Sequence, residues 1–401
     1  SQNDAWEAYK QKNGAKAEQR LLERIREQLD QQGTLDLLRN GIELMGLSKA
    51  LKLAEFKPAL GLNPDILTRY NANRLRVVRQ VRYSLHNENC IDLVLFLNGI
   101  PVATVELKTD NTQCIDDAVW QYKTDRLPKL AGKTPESLLS FPSGALVHFA
   151  VSTREVRMTT KLAGPDTVFL PFNKGSDPGG KNCGAGNPVP NGPGYPTDYL
   201  WQEVWERESW LEILGRYCIA ERNKKKQISR VLFPRYHQLD VVRQLLADVR
   251  QRGAGPRYLI QHSAGSGKSN SIAWLAHQLI AARKADKQIF DSVIVITDRR
   301  ILDMQIRETI KGFAQVGSII GAVKEGAGVS KTEQLAKFLR DGKKLIICTV
   351  QTFPFVLDAI GERHRGGNFA IIIDEAHSSQ GGRTAAAISA ALGDTIEGEE
   401  E

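Results

Sequence analysis

The pattern of hydrophobic and polar positions divides this chain of 401 residues into three regions. Residues 1–173 mix helical and strand patterns, and leucines and isoleucines at helical spacing predict an early helix that ends at Gly33. More than half of residues 175–196 are Gly or Pro, so we expect 174–227 to be a linker followed by a connecting helix. From 228 to 401, short apolar runs alternate with helical segments.

The third region has the pattern of an α/β domain. Its continuous apolar runs have the length of buried strands, and such runs are typical of a parallel sheet covered on both faces. The helical segments between them predict a doubly wound parallel sheet. The predicted strands are RYLIQ (257–261), SVIVIT (292–297), KLIICT (344–349) and FAIIID (369–374).

Composition and charge narrow the functional classes. With 41% hydrophobic and 25% charged residues the chain is typical of a globular protein, and it has no apolar run of 18 residues, so no membrane partner is expected. The start is polar and lacks Met, which suggests that the numbering begins inside a longer protein or after a cut tag. Five widely spaced cysteines without a CxxC pair argue against a zinc site or a disulfide framework and fit a reducing cytoplasm. The net charge of +8 permits a nucleic-acid partner.

A Gly-rich turn between a predicted strand and a predicted helix has the layout of a phosphate-binding loop. Lys268 could reach the β- and γ-phosphates of ATP, and the Ser269 hydroxyl could bind Mg²⁺. The strict form of this loop has Gly where this chain has His262, so a chance Gly-rich turn is the competing explanation. The residues expected to hold the nucleotide are Gly265, Ser266, Gly267, Lys268 and Ser269.

An acidic pair ends the last predicted strand. Asp374 could hold Mg²⁺ from the strand tip, and Glu375 could orient and deprotonate the water that attacks ATP. Two surface acids would be the ordinary explanation of an isolated Asp-Glu pair. The phosphate-binding loop upstream favours a role in ATP hydrolysis.

Two apolar runs flank Asn98-Gly99, which is a strong signal for a β-hairpin. Asp92 lies in the first run, and Glu106 and Lys108 lie on one face of the second. Regular pairing around a two-residue turn would put Asp92 and Glu106 on opposite faces. A three-residue loop or one bulge would pair them, and we predict the bulged register. Two such carboxylates could hold Mg²⁺, and Lys108 could stabilise developing negative charge. An edge-strand salt bridge is the competing explanation.

Two neighbouring segments could assist at this site. A predicted helix presents Gln121 and Tyr122. The strand before the hairpin is rich in arginine and could follow DNA phosphates, although a solvated, salt-bridged face explains it nearly as well. Its arginines are Arg74, Arg76, Arg79 and Arg82.

Several of these patterns resemble known motifs. The spacing Asp92…Glu106-x-Lys108 is similar to the PD-(D/E)xK nuclease motif, although Gln121 and Tyr122 are adjacent rather than spaced as in the QxxxY element of related nucleases. The other matches resemble superfamily 2 helicases and translocases, in which the Q-motif amide, here Gln238, would pair with adenine. These matches are FPRYHQ (233–238, Q motif), TDRRILDMQ (297–305, motif Ia), TVQTF (349–353, motif Ib) and DEAH (374–377, motif II).

The order of the motifs over about residues 70–380 resembles the restriction (R) subunit of type I restriction–modification enzymes. The resemblance implies a PD-(D/E)xK restriction-endonuclease-like α/β nuclease domain, followed by the first RecA-like lobe of a superfamily 2 motor that is incomplete at its C-terminus. It also implies a phage-defence deoxyribonuclease that uses ATP and Mg²⁺, moves double-stranded DNA, cuts unmodified foreign DNA, and docks on modification (methyltransferase) and specificity subunits. The alternatives are a stand-alone nuclease–helicase of DNA repair or of another defence system, and an ATP-gated DNA scaffold with a degenerate nuclease.

Overall fold

The chain forms two compact units, Ser1–His237 and Gln238–Glu401. Each unit has its own β-sheet. The computed structural model describes residues 2–47, 49–57, 64–177, 184–297, 320–322, 333–334, 337–338, 341–350 and 367–374.

The described α-helices of the first unit range from 6 to 24 residues in length. The predicted early helix continues beyond Gly33, but that residue breaks it with a φ of 79°, a conformation that glycine adopts at little cost. A 3₁₀ turn and two π-helical turns occur at Gly14–Lys16, Leu200–Val204 and Ile213–Tyr217. The α-helices are Gln2–Asn13 (α1), Ala17–Asn40 (α2), Pro64–Asn71 (α3), Ile115–Thr124 (α4) and Arg207–Glu212 (α5).

Six strands form the sheet of the first unit, in the order β1-β2-β3-β4-β5-β6. Neighbouring strands are antiparallel except β3 and β4, which are parallel and are joined through α4 as a crossover requires. The strands are Leu75–Arg82 (β1), Cys90–Leu97 (β2), Ile100–Leu107 (β3), Val147–Val151 (β4), Val156–Thr159 (β5) and Leu170–Pro171 (β6).

Aromatic packing places residues 174–227 within the first unit. The Phe149 ring on β4 lies 5.4 Å from the ring of Trp205 and 5.8 Å from that of Phe233, measured between centroids. The chain then forms a second hairpin from Ile219–Arg222 (β7) and Ile228–Leu232 (β8). Burying such large rings on the sheet is strongly favourable, so the part of the expected linker and connecting helix around Trp205 packs on the sheet of this unit. The second unit begins at Gln238.

The second unit contains a parallel sheet with the strand order β12-β13-β11-β14. Three of the four predicted strands are confirmed as β11, β13 and β14, and of these β11 and β13 are buried as predicted whereas β14 is half-buried. None of the described helices in either unit has both the length and the apolar character needed to cross a membrane. The remaining elements are Tyr236–Arg252 (α6), Lys268–Ile280 (α7), Arg283–Lys284 (β9), Lys287–Gln288 (β10), Ser292–Thr297 (β11), Ile320–Ala322 (β12), Leu345–Thr349 (β13) and Phe369–Ile373 (β14).

The prediction of a buried strand at 257–261 is wrong. These residues form no strand, and Leu259 in their middle is 90% exposed. An apolar run becomes a strand of a parallel sheet only where a neighbouring strand supplies the ladder of hydrogen bonds. No strand in the described part of the chain pairs with this run.

Candidate functional site

The hairpin formed by β2 and β3 brings two carboxyl groups together. Its turn at 98–99 has positive φ at both residues, 51° and 88°, as two-residue hairpin turns require. The pairing then shifts register once, and Leu93 pairs with Val105 beyond the shift. One position further from the turn, the same register places Asp92 opposite Glu106. The predicted bulged register is therefore confirmed.

Glu106 is fully buried on β3. Its Oε1 accepts a hydrogen bond from Nε of Arg126 at 2.7 Å, within an ion pair. Its Oε2 is buried and has no hydrogen-bond partner. Burial raises the pKa of Glu106 to about 8, against the opposing effect of Arg126, and the neighbouring Asp92 adds to the rise. Oε2 is therefore buried beside the Asp92 carboxylate, where a proton or a bound cation would relieve the repulsion between the two groups.

Asp92 is held through both of its carboxylate oxygens. Its Oδ2 accepts a hydrogen bond from the backbone N–H of Leu107 at 2.9 Å. Its Oδ1 accepts one from Nε2 of Gln80 on β1 at 3.0 Å. Two donors from the two neighbouring strands thus fix the orientation of this carboxylate beside Glu106.

Lys108 lies just beyond the end of β3, where its backbone N–H donates to the carbonyl of Val151 at 2.9 Å. Hydrogen bonds with Cys114 lower the pKa of Asp117 at the start of α4, and the Lys108 ammonium adds to this effect. The structure therefore places the charge of Lys108 near Asp117. The cation bonded to Glu106 is Arg126.

Sequence reasoning missed two residues of this site, Arg126 and Gln80. Arg126 follows α4 in the segment KTDR, which no motif marks. Gln80 lies in the strand in which the sequence pattern indicates only a row of arginines. The register of β1 on β2 would have found it, because Gln80 lies opposite Asp92 in that register.

Tyr122 on α4 packs against β3 close to Asp92 and Glu106, which are called the acidic pair from here on. Its hydroxyl is hydrogen-bonded to that of Thr104 at 2.8 Å, and the Thr104 hydroxyl contacts Nδ1 of His148 at 2.7 Å. Burial lowers the pKa of His148 to about 3 and, with the nearby Glu106, raises the pKa of Tyr122 well above its usual value, so both side chains are neutral. The Oε1 of Gln121 is buried without a hydrogen-bond partner. The predicted helix thus supports β3 beside Glu106 through a buried polar network.

The acidic pair has the chemistry of a magnesium site. The described part of the chain contains no group of three or more His, Cys, Asp or Glu side chains that could hold a metal ion. Mg²⁺ does not need one, because it keeps several waters and is often bound through one or two carboxylates. Asp92, Glu106 and a backbone carbonyl of β3 would suffice, and the unpartnered Oε2 of Glu106 fits the role of a ligand.

The predicted phosphate-binding loop leads directly into α7. Gly265 and Gly267 have φ of 74° and 84°, and α7 begins at Lys268. Gln238 is buried and donates its amide N–H groups to the carbonyl oxygens of Ser266 at 3.1 Å and Gly267 at 3.0 Å. The structure thus places Gln238 against the loop itself.

His262 stands where the strict loop pattern has Gly. Burial and the neighbouring Lys268 ammonium lower the pKa of this imidazole. It is therefore neutral at pH 7, and the positive charge at this end of the loop comes from Lys268.

The carboxyl ends of three parallel strands lie side by side at one edge of the second unit's sheet. Thr297 pairs with Thr349 in the register of β11 and β13, and buried Asp374 follows β14 beside them. α7, which carries Ser269 in its first turn, packs against β11, β13 and β14. Asp374 therefore lies where a doubly wound sheet binds its ligands. Glu375 and most of the TDRR and TVQTF segments lie outside the described residues.

Two protein-family models match the chain. Residues 2–167 match the type I restriction enzyme R protein N terminus (HSDR_N), and residues 237–396 match the SWI2/SNF2 ATPase. The first match contains Asp92 and Glu106, and the second contains the Gly-rich loop and Asp374. The two candidate sites thus fall in two separate family matches.

Several known proteins are similar to this chain. The type I restriction enzyme MjaIXP endonuclease subunit of Methanocaldococcus jannaschii is 23% identical over 376 residues, which are 87% of this chain and 32% of the relative. The SauCOLORF180P endonuclease subunit of Staphylococcus aureus (strain COL) is 24% identical over 315 residues, 77% of this chain and 30% of the relative. The solved structure of T4 UvsW matches with a TM-score of 0.29 and 13% identity, over 46% of this chain and 37% of that one. The chain spans about a third of the length of the curated relatives it matches.

Proposed function

We propose that this chain, a member of the type I restriction enzyme R-subunit family, cuts DNA at Asp92 and Glu106 and drives the movement of double-stranded DNA with ATP bound at the Gly-rich loop. The observation that carries the nuclease part is the pairing of two carboxyl groups across β2 and β3, one of which has a buried oxygen without a partner. A cation bound between the two carboxyl groups would neutralise their repulsion and would give Oε2 of Glu106 a partner.

In the nuclease reaction, Asp92, Glu106 and a β3 carbonyl would hold Mg²⁺. When bound, this ion supplies an activated water and neutralises charge on the scissile phosphate. Asp92 is oriented for this role by its two hydrogen bonds, and Arg126 holds Glu106 through Oε1 so that Oε2 faces the site. Lys108 would neutralise a non-bridging phosphate oxygen once DNA is bound.

DNA would approach along β1, the edge strand of the sheet. Four exposed arginines lie on or beside this strand, and the exposed valines 77 and 78 lie among them. In the register of β1 on β2, Arg79 pairs with Leu93 and Arg82 with Cys90, and Arg82 also forms an ion pair with Glu88 at 2.6 Å. Their charge would bind phosphates without reading sequence, which fits a division of labour with a specificity subunit.

In the motor reaction, Lys268 would neutralise the β- and γ-phosphates of ATP. Ser269 and Asp374 would hold its Mg²⁺, and Glu375 would orient the attacking water. Gln238 would belong to the nucleotide site by holding the loop carbonyls in place for its glycines to cradle phosphate. Hydrolysis would drive the translocation of double-stranded DNA.

The full assignment is the restriction subunit of a type I enzyme that acts with modification and specificity subunits. Its substrate would be unmodified foreign DNA, and its role would be defence against phage. The proposal rests on the family matches and on the two sites that this chain supplies.

Nicking of a supercoiled plasmid by the purified chain tests the nuclease part. We expect slow nicking with Mg²⁺, none with a chelator, and none by Asp92→Asn. The matched control is Asp110→Asn, which removes an exposed carboxylate close to the same strand. Nicking by Asp92→Asn at the wild-type rate would contradict the proposal.

A further inference from the structure

Gln80 has an unusual backbone conformation at a position opposite the acidic pair. The pairing of β1 with β2 keeps one register from end to end. Gln80 and Asp92 lie opposite each other in that register but do not form a backbone pair. At that point the φ of Gln80 is 51°, in the left-handed region that side chains other than Gly, Asn and Asp rarely adopt. A strained residue in the middle of an otherwise regular strand needs a local cause.

The hydrogen bonds of the Gln80 side chain supply that cause. Its Nε2 donates to Oδ1 of Asp92 at 3.0 Å, and its Oε1 accepts from Sγ of Cys90 at 3.0 Å. A carboxylate can only accept and a thiol donates here, so both partners require the same orientation of the amide. Gln80 therefore presents its amide donor to Asp92.

Three strands contribute one row of side chains. In the registers of the sheet, Gln80 on β1 lies opposite Asp92 on β2, and Asp92 lies opposite Glu106 on β3. Asp92 receives a hydrogen bond from each side, from Gln80 and from the backbone of Leu107. Of these two donors, only Gln80 can be removed by substitution.

We propose that Gln80 is a positioning residue that fixes Asp92 for binding a divalent cation. The proposal rests on the nuclease site described above. A carboxylate ligand keeps its geometry when its surroundings hold it by hydrogen bonds, and loss of such a partner typically weakens metal binding 10- to 100-fold. Gln80 also lies between Arg79 and Arg82 on the edge strand, so the same segment that contacts DNA orients the ligand.

Binding of Mn²⁺ to the 401-residue chain, without DNA or nucleotide, tests this role directly. Free Mn²⁺ can be followed by electron paramagnetic resonance, and unfolding by thermal denaturation. Gln80→Leu keeps a side chain of similar size at the strained φ and removes the donor. Gln80→Gly removes the donor and relieves the strain. Val77→Ala, on the same strand and exposed, is the matched control.

We expect both Gln80 variants to bind Mn²⁺ 10- to 100-fold more weakly than the wild type, and Val77→Ala to bind as the wild type does. Gln80→Gly should melt at or above the wild-type temperature, which separates weaker metal binding from a damaged fold. Cys90→Ser, which keeps a donor to Gln80, should bind Mn²⁺ close to the wild-type level.

Two results would overturn the inference, and they are distinguishable. Wild-type Mn²⁺ affinity in both Gln80 variants, with binding lost in Asp92→Ala, would refute the positioning role and leave the nuclease site standing. Equal binding by the wild type and Asp92→Ala would refute the nuclease site, and the role of Gln80 with it.

Discussion

Asp92 and Glu106 lie opposite each other on β2 and β3 because the register of the hairpin shifts by one residue. Without that bulge the two carboxyl groups would point to opposite faces of the sheet. The bulge therefore builds the acidic pair, and the two-residue turn at 98–99 alone would not. Bulges are common beside active sites, where they redirect a side chain.

Burial of Glu106 predicts a pH-dependent stability of the metal-free chain. The folded pKa of about 8 is above the ordinary value of 4.5, so the folded state favours the protonated form. The contribution of the Glu106 carboxyl group to the free energy of unfolding is fully present below pH 4.5 and is lost as the pH rises through 8. The loss could reach about 5 kcal/mol, at about 1.4 kcal/mol per pKa unit.

Urea unfolding of the first unit in a chelator, followed by tryptophan fluorescence from pH 4 to 9, measures this effect. In Glu106→Gln the free energy of unfolding should fall less with rising pH than in the wild type, whereas Asp110→Asn, at an exposed position, should behave as the wild type does. An equally steep fall in Glu106→Gln and the wild type would show that another group causes it.

The two loop glycines form a matched pair for testing the nucleotide site. Both have positive φ, so alanine at either costs about 1–2 kcal/mol in strain. A Cβ at Gly265 meets no atom within 4 Å, whereas one at Gly267 would lie 2.3 Å from Nε2 of Gln238. We expect Gly267→Ala to weaken the binding of a fluorescent ATP analogue about tenfold more than Gly265→Ala does. Equal effects would mean that Gln238 does not hold the loop.

Lys268 should be essential for ATP hydrolysis. Lys268→Ala removes the charge that neutralises the phosphates, and we expect at least a loss of about a hundredfold in the enzyme that contains this chain. Lys287→Ala removes an exposed charge from the same unit and should have no effect. Phosphate release measured with long linear DNA checks both variants, and unchanged turnover in Lys268→Ala would exclude a phosphate-binding role.

The arginines of β1 should contribute a salt-dependent part of DNA affinity. Arg76→Gln and Arg79→Gln should each weaken binding to any duplex and lower the slope of log K against log salt concentration by about 0.9. Arg20→Gln on α2 is the control, because it removes an exposed arginine far along the sequence from this strand. Fluorescence anisotropy at several salt concentrations measures the slopes. Unchanged slopes would mean that these arginines form only a solvated face.

The hairpin and three strands of the second sheet could be predicted because their patterns are local. Apolar runs at β11, β13 and β14 and the Asn-Gly turn are each visible within a few residues. The run at 257–261 has the same local pattern but forms no strand, since strand formation depends on a partner elsewhere in the chain. The local sequence pattern does not show whether such a partner strand is present.

The acidic pair could be predicted from the sequence, but its supporting residues could not. Asp92 and Glu106 belong to a spaced motif, whereas Arg126 and Gln80 reach them across the fold from α4 and β1. Such contacts depend on tertiary packing, which no local pattern encodes. The packing of Trp205 and Phe233 on Phe149 could not be predicted for the same reason.

One experiment tests most directly whether this chain carries a cutting site separate from its motor site. In the enzyme that contains this chain, DNA cleavage and DNA-stimulated ATP hydrolysis are measured in the same preparations of the wild type, Glu106→Gln and Lys108→Ala. We expect both variants to lose cleavage by at least about a hundredfold, because the metal ligand or the phosphate-neutralising cation is gone. ATP hydrolysis should stay close to the wild-type rate, since both residues lie outside the second unit. Cleavage at the wild-type rate in Glu106→Gln would contradict the account.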